Sequence, residues 1–237
     1  VYLTFLIAST TPVIIFLYLI FRKDANPEPW QLLARCFFGG FLSVLITLLI
    51  ALPLELLEPL FENPSSVAFF QAFLQAAIPE EFSKWIIFYW LVMKSHHFDE
   101  HYDGIQYAVF ISLGFALVEN IMYVFDGGLS VAVYRGVLSV PGHGFFAVLM
   151  GYFLSLARFG DPAHRTRNLY LSLIYPIVFH GMYNFFLMYS SFIVDQDPLL
   201  SLALMIAFTI TVIYLWRLGF RKVRKHLATD QKAGALS

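Results

Sequence analysis

The chain has 237 residues, 59% of them hydrophobic and only 13% charged, with a net charge of −1 and a mean hydropathy of +0.71. A soluble domain carries about a quarter charged residues, so this composition excludes an ordinary soluble fold and predicts an all-α polytopic membrane bundle. The charge balance gives no footprint for nucleic acid, and the lone Cys36 excludes an internal disulfide and reads as packing.

Roughly 20 apolar residues cross a bilayer as a helix. That rule predicts about seven spans, at 2–21, 32–54, 67–93, 104–125, 133–158, 169–190 and 198–219. The first run is too long and too weakly terminated for a signal peptide. Short Pro-, Gly-, Asp- and Asn-rich links join the spans (DANPEPW, EPLFENPSS, SHHFDEHYDG, DGG, GDPAHRTRN, DQDP). Residues 1–219 read as one transmembrane bundle domain, with no internal repeat. Residues 220–237 read as a basic and polar cytoplasmic tail, frayed after Lys225, with Arg217–Lys225 (RLGFRKVRK) as a membrane-surface anchor.

Basic residues alternate between links. Arg22, Lys23 and Arg35 flank the first, Lys94 the third, and Arg158, Arg165 and Arg167 the fifth. Acids without bases mark the second and sixth (Glu55, Glu58, Glu62; Asp195, Asp197). Cytoplasmic links carry the excess of Lys and Arg, which predicts an external N-terminus and a cytoplasmic C-terminus. Arg135, just inside the fifth span, is the one blemish.

Ionisable residues lie inside four of the apolar runs. The third span holds Glu80, Glu81 and Lys84, the fourth Glu119 and Asn120, the fifth His143, and the sixth His180 and Asn184. A charge at bilayer depth costs about 3 kcal/mol or more, so such residues mark functional sites. With the predicted topology and a rise of 1.5 Å per residue, Glu80 lies ~20 Å, Glu119 ~9 Å and both histidines ~15 Å from the outer ends of their spans. These depths allow one polar site, reached from outside.

Glu80 and Lys84 are four residues apart and share a helix face, whereas Glu81 is rotated from Glu80 by about 100°. Burial and the nearby ammonium act on the two carboxyls in opposite senses, which favours one ionised base and one neutral acid, the division of labour hydrolysis needs. Either glutamate fits either role. His180 and Asn184 also share a face, placed to donate jointly to an oxyanion. Pro79, Pro141 and Pro176 stand near these residues, and each frees a carbonyl one turn earlier, which predicts helix breaks around a hydrated cavity. Gly142, Gly144 and Gly181 leave room beside the histidines for backbone or substrate. Against this stand plainer readings. A lone Asn bridges helices, a lone Glu–Lys pair is structural, and His96, His97 and His101 sit in a solvated link rather than a metal site.

The EExxK run Glu80-Glu81-Phe82-Ser83-Lys84, the segment Phe115–Asn120, His143 and the His180-Gly-Met-Tyr-Asn184 stretch, together with DANPEPW, resemble the PrsW family of intramembrane proteases. That family lies within a larger grouping with the CAAX-processing endopeptidases and bacteriocin-immunity proteins. The resemblance spans nearly the whole chain. By similarity to the CAAX-type enzymes, Glu80 would activate water with help from Glu119, and His180 and Asn184 would stabilise the oxyanion. Glu119 stands where that branch carries a His, and Lys84 stands near its Arg, so His143 would take the missing His role. The resemblance implies a multi-pass protein of a bacterial or archaeal cell membrane. Its substrate would be a membrane-spanning protein, such as an anti-sigma factor cut at a first site near the external face during a stress response.

A glutamate-based mechanism without a metal is the favoured expectation, with Lys84 and Asn120 in supporting roles. The alternative is Zn²⁺ held by Glu119, His143 and His180, with or without Glu80. No HExxH or GxSG motif is present, and Gly160-Asp161 lies in a link. Two other function classes use the same residues, a proton-coupled transporter and a non-catalytic peptide-binding or immunity protein. The first would show repeats that this chain lacks. The second would tolerate substitution of the buried acids.

Overall fold

The computed structural model describes residues 2–234, and among these every regular element is helical. Helix α1 spans Tyr2–Phe21 and α2 Trp30–Glu55. α3 (Pro64–Phe69) runs through a π-helical stretch, Phe70–Ala77, into α4 (Ile78–Leu91). α5 spans His101–Tyr134 and passes through a second π stretch, Arg135–Ser139, into α6 (Val140–Phe159). α7 spans Arg165–Ile193 and α8 Pro198–Gly234.

Among the described residues, five runs of helix are long and apolar enough to cross a membrane, and the chain is a multi-pass membrane protein. One of the five, His101–Phe159, has 59 residues. A straight helix of that length would measure ~88 Å, about three times the hydrocarbon core. It does not run straight. Gly128 adopts φ 78°, ψ −166°, a conformation open to glycine alone, and interrupts the helix. The two arms then pack antiparallel. The Ser112 hydroxyl donates to the His143 carbonyl at 3.0 Å, and the Ser155 hydroxyl to the His101 carbonyl at 2.7 Å. The DGG link expected here is therefore an interruption within helix rather than a free loop.

Large apolar side chains on α1, α2 and α8 face outward, among them Ile7, Ile14, Leu45, Leu49, Ile206 and Ile210. Such a surface is stable only against lipid. α5 and α6 form the centre, with most of their residues buried. Backbones approach closely at two small-residue crossings. A Cβ on Gly114 would overlap the Phe37 carbonyl of α2, and one on Gly151 would overlap Gly104 of α5. Membrane helices lack a hydrophobic drive to associate, so such close packing is what joins them.

The prolines behave differently from the expected breaks. Pro79 and Pro141 each follow a π-helical stretch, and Pro176 sits inside continuous α7. A π stretch shifts the hydrogen-bond register, so the proline's missing N–H is absorbed without breaking the rod.

The C-terminal segment also departs from expectation. α8 continues past Lys225 to Gly234, where a frayed tail was expected; residues 235–237 lie outside the described range. Val223 and His226 are buried against the bundle, and the His226 ring contacts the Tyr152 carbonyl at 3.1 Å. The Asp230 carboxylate accepts from the backbone N–H groups of His101 and Tyr102, at 3.0 and 2.8 Å, satisfying orphan donors at the start of α5.

One end of the bundle holds the 22–29, 92–100 and 160–164 links and the end of α8. The other holds Gly128 and the 56–63 and 194–197 links. Every Lys and Arg except Lys84 and Arg135 lies in or near the first end.

Candidate active site

The third, fourth, fifth and sixth predicted spans converge on one cavity of ≈ 360 Å³, displaced toward the end of the bundle that carries Gly128. Glu80, Glu119, His143, His180 and Asn184 line it, together with Arg135, Tyr123 and Tyr183. Glu81, Lys84 and Asn120 do not. They are fully or almost fully buried around it, at 0%, 1% and 0% exposure. The candidate residues therefore divide into a group facing the cavity and a group behind it.

Lys84 is the hub of the buried group. Its ammonium lies 2.9 Å from Glu81 Oε1, 3.3 Å from Glu80 Oε2 and 3.3 Å from His143 Nδ1, and 4.1 Å from the centre of the Phe115 ring. The Glu80–Lys84 pairing expected from spacing is present, and the shorter contact is to Glu81. Glu81 Oε1 also meets His180 Nδ1 at 2.9 Å. Because an ionised carboxylate only accepts, His180 Nδ1 is the donor there, and the neutral ring carries its lone pair on Nε2. That nitrogen lies 3.9 Å from Glu80 Oε2. The Phe146 ring stacks on the His180 ring at 4.8 Å and fixes its plane.

A second chain of contacts crosses from α5 to α6. His143 Nε2 lies 2.9 Å from Glu119 Oε2. Arg135 Nη2 stands 2.8 Å from the same oxygen, an ionic contact whose angle does not suit a hydrogen bond, while Arg135 Nε donates to Asn120 Oδ1 at 2.7 Å. Asn120 Nδ2 donates in turn to the Ser9 carbonyl of α1 at 3.3 Å. With Lys84 donating to His143 Nδ1, the neutral His143 ring carries its proton on Nε2 and gives it to Glu119. Three carboxylates (Glu80, Glu81, Glu119) thus face two basic side chains, Lys84 and Arg135. Glu80, with the longer contact to Lys84 and an edge on the cavity, is the carboxylate left free for a proton or another cation.

At this cavity, among the described residues, two sets of donors are close enough to share a metal ion, each with ligand atoms within 4.8 Å of one another. One is Glu80, Glu119 and His143; the other is Glu80, Glu81 and His180. The grouping differs from the expected Glu119–His143–His180 set, because Glu80 is the member common to both. Carboxylate oxygens and imidazole nitrogens suit Zn²⁺. The Glu81–His180 contact also has the form of a carboxylate that orients a metal-ligating histidine. The residues therefore fit a divalent metal.

Two sequence expectations about neighbouring residues change. Gly144 and Gly181 leave room for the Phe16 and Phe73 rings, so their small size serves packing rather than substrate access. Arg135, a blemish in the charge pattern, holds Glu119. His101 is engaged by Asp230 at 3.2 Å, and none of His96, His97 and His101 belongs to a metal-competent group among the described residues.

Comparison with known proteins gives a consistent answer. The profile described as "PrsW family intramembrane metalloprotease" matches residues 28–215. "Protease PrsW" of Oceanobacillus iheyensis is 38% identical over 206 residues, 86% of this chain and 93% of that one. "Protease PrsW" of Bacillus subtilis is 36% identical, covering 92% of this chain and 93% of its own. That of Clostridioides difficile is 34% identical, covering 93% and 90%. No solved structure matches. The matched region contains all four helices that build the cavity, and on these grounds the chain belongs to the PrsW family of intramembrane proteases.

Proposed function

We propose that this chain hydrolyses a peptide bond of a membrane-spanning protein at the Glu80 cavity. The observation that carries this reading is the division of the two adjacent glutamates. Glu80 edges a cavity, and Glu81 is sealed behind it by Lys84 and His180. A water held between Glu80 and Glu119 attacks the scissile carbonyl carbon, and Glu80 takes its proton. The resulting oxyanion is met by the Asn184 side-chain amide. Glu80 then returns the proton to the leaving nitrogen as the C–N bond breaks, releasing one carboxyl and one amine. His180 is a second oxyanion donor only when Nε2 is protonated; as a neutral ring it is an acceptor toward the cavity. Arg135 and His143 hold Glu119 in place, and Lys84 holds Glu80.

Zn²⁺ would be held by Glu80 together with either Glu119 and His143 or Glu81 and His180. It would supply Lewis-acid polarisation and lower the pKa of bound water. A metal-free glutamate mechanism is favoured by a different observation: the Lys84 ammonium already lies within 3.3 Å of Glu80 and of His143 Nδ1. Elemental analysis of purified, active protein separates the two. One equivalent of metal, lost together with activity in Glu80→Gln, supports the first. Full activity in metal-free protein supports the second.

We read the chain as seven crossings, with the Gly128 end external and the Lys/Arg-rich end cytoplasmic. The cut then falls near the external side of the substrate. A membrane-bound anti-sigma factor released by first-site cleavage is the substrate that the family resemblance suggests. The test compares the membrane proteomes of cells expressing wild type or Glu80→Gln at matched levels. New termini near the external end of single-span proteins, present only with wild type, support the proposal. Identical termini under several envelope stresses would refute it and favour a proton-relay or peptide-binding role.

A further inference from the structure

At the end of the bundle opposite the Glu80 cavity, a second cavity of ≈ 420 Å³ lies between the start of α2 and the link after α4. Its polar walls are Gln31, Arg35, Lys94, Ser95, His96 and His97, and no acid lines it among the described residues. Arg35 and Lys94 are exposed, and neither has a carboxylate partner among the described residues. Two cations held beside one cavity without counter-charge form a receptor for an anion.

This cavity does not end at the polar rim. A groove of ≈ 340 Å³ shares Arg35 and Leu91 with it and continues along the α2–α4 seam, past Ala34, Phe38, Leu42, Ile87 and Trp90. The floor is close-packed: a Cβ on Gly39 would stand 2.8 Å from Ile87 Cγ2. The rims are open, with Phe38 62% and Trp90 73% exposed. From Arg35 to Leu42 the groove follows α2 for ~10 Å, from the cationic mouth into the apolar face.

A cationic mouth at the edge of the apolar belt, continuous with an apolar trough that descends into it, matches one kind of occupant in both polarity and direction. We propose that the α2–α4 seam binds one anionic phospholipid. Its phosphate sits between Arg35 and Lys94, and an acyl chain lies in the groove under Phe38 and Trp90. A free phosphate would use the mouth and leave the groove idle, so the groove is what points to a lipid. The site is built from residues separate from the Glu80 cavity.

The test is native mass spectrometry of the full chain in detergent, titrated with phosphatidylglycerol and, in parallel, phosphatidylcholine. Wild type is expected to retain one phosphatidylglycerol in preference to phosphatidylcholine. Arg35→Gln with Lys94→Gln is expected to bind it about 30-fold more weakly, given the usual contribution of a basic residue at an anionic membrane surface. Ala34→Trp, which fills the groove and leaves the cations in place, is expected to weaken it as well. Arg221→Gln with Arg224→Gln, in the basic α8 segment, controls for general charge and is expected to keep the bound lipid. Unchanged binding in the Arg35/Lys94 variant, or an equal loss in the α8 variant, would overturn the proposal. Displacement of the lipid by glycerol 3-phosphate at equal concentration would overturn the lipid assignment in favour of a free phosphate ligand. Thermal melts of each variant confirm that the protein compared is folded.

Discussion

Glu81 Oε1 holds His180 Nδ1 at 2.9 Å and Lys84 Nζ at the same distance, so a single buried oxygen fixes both the ring that faces the cavity and the cation that neutralises its neighbour. Its other oxygen has no hydrogen-bond partner. In the proposed mechanism Glu81 is a keystone between α4 and α7 rather than a reacting group.

Glu81→Gln removes a charge from a fully buried pair, and breaking such a pair costs about 3–5 kcal/mol because the remaining ion is left uncompensated. The expected outcome is a clearly lowered melting temperature in detergent. Glu81→Gln combined with Lys84→Gln, which removes both charges, should recover part of the loss. Equal melting of wild type and Glu81→Gln would show that the pair does not hold the helices together.

Arg135 lines the cavity with its guanidinium against Glu119 and Asn120, and we assign it a positioning role. Arg135→Ala frees Glu119 to rotate, and misplacement by ~1 Å is enough to slow hydrolysis about 100-fold. The loss should appear in kcat with KM little changed. Arg135→Lys keeps a charge near Glu119 but loses the bond to Asn120 and should fall between the two. A pure rise in KM would instead place Arg135 in substrate binding.

Much of this site was legible in the sequence, and the missing parts have physical causes. Spacing alone paired Glu80 with Lys84 and His180 with Asn184, because i,i+4 residues share a face on any straight helix. Spacing also put Glu81 on another face, but which face meets the cavity depends on where α7 lies, and that is tertiary information. Arg135 was invisible as a site residue. Only the interruption at Gly128 and the π stretch that begins at Arg135 carry it back over Glu119. The all-helical, membrane-crossing character of the bundle emerged from hydropathy. The ordered end of α8 did not, because its buried positions Val223 and His226 are diluted by lysines and arginines that face outward.

Outside the spans, the link after α1 carries a titrating pair. Burial pushes the Glu28 carboxyl up to about 7 from 4.5, against the lowering pull of the Tyr107 hydroxyl, and burial pushes Asp24 up to about 6 from 3.8. Asp99 and Asp24 add like charge at Glu28 while a hydrogen bond with Asp103 pulls it down, and Glu100 and Asp230 add like charge at Asp24. The folded state holds these protons more tightly than the unfolded chain, so stability falls as pH rises. The contribution is full below about pH 4, declines between the ordinary and raised values, and is gone above about pH 7. Glu28→Gln should flatten the fall of melting temperature over that window. A profile identical to wild type would show that Glu28 does not titrate there.

The central claim is that Glu80, and not its neighbour, takes the proton from water. The most direct measurement is single-turnover cleavage in proteoliposomes, using a substrate identified by its new terminus and wild type, Glu80→Gln and Glu81→Gln proteins normalised for folded fraction. The account predicts that Glu80→Gln melts near wild type and loses about 100-fold or more of the rate, while the folded fraction of Glu81→Gln retains most of it. Cleavage by Glu80→Gln at the wild-type rate would contradict the account, as would a fully folded Glu81→Gln protein that is the inactive one of the two.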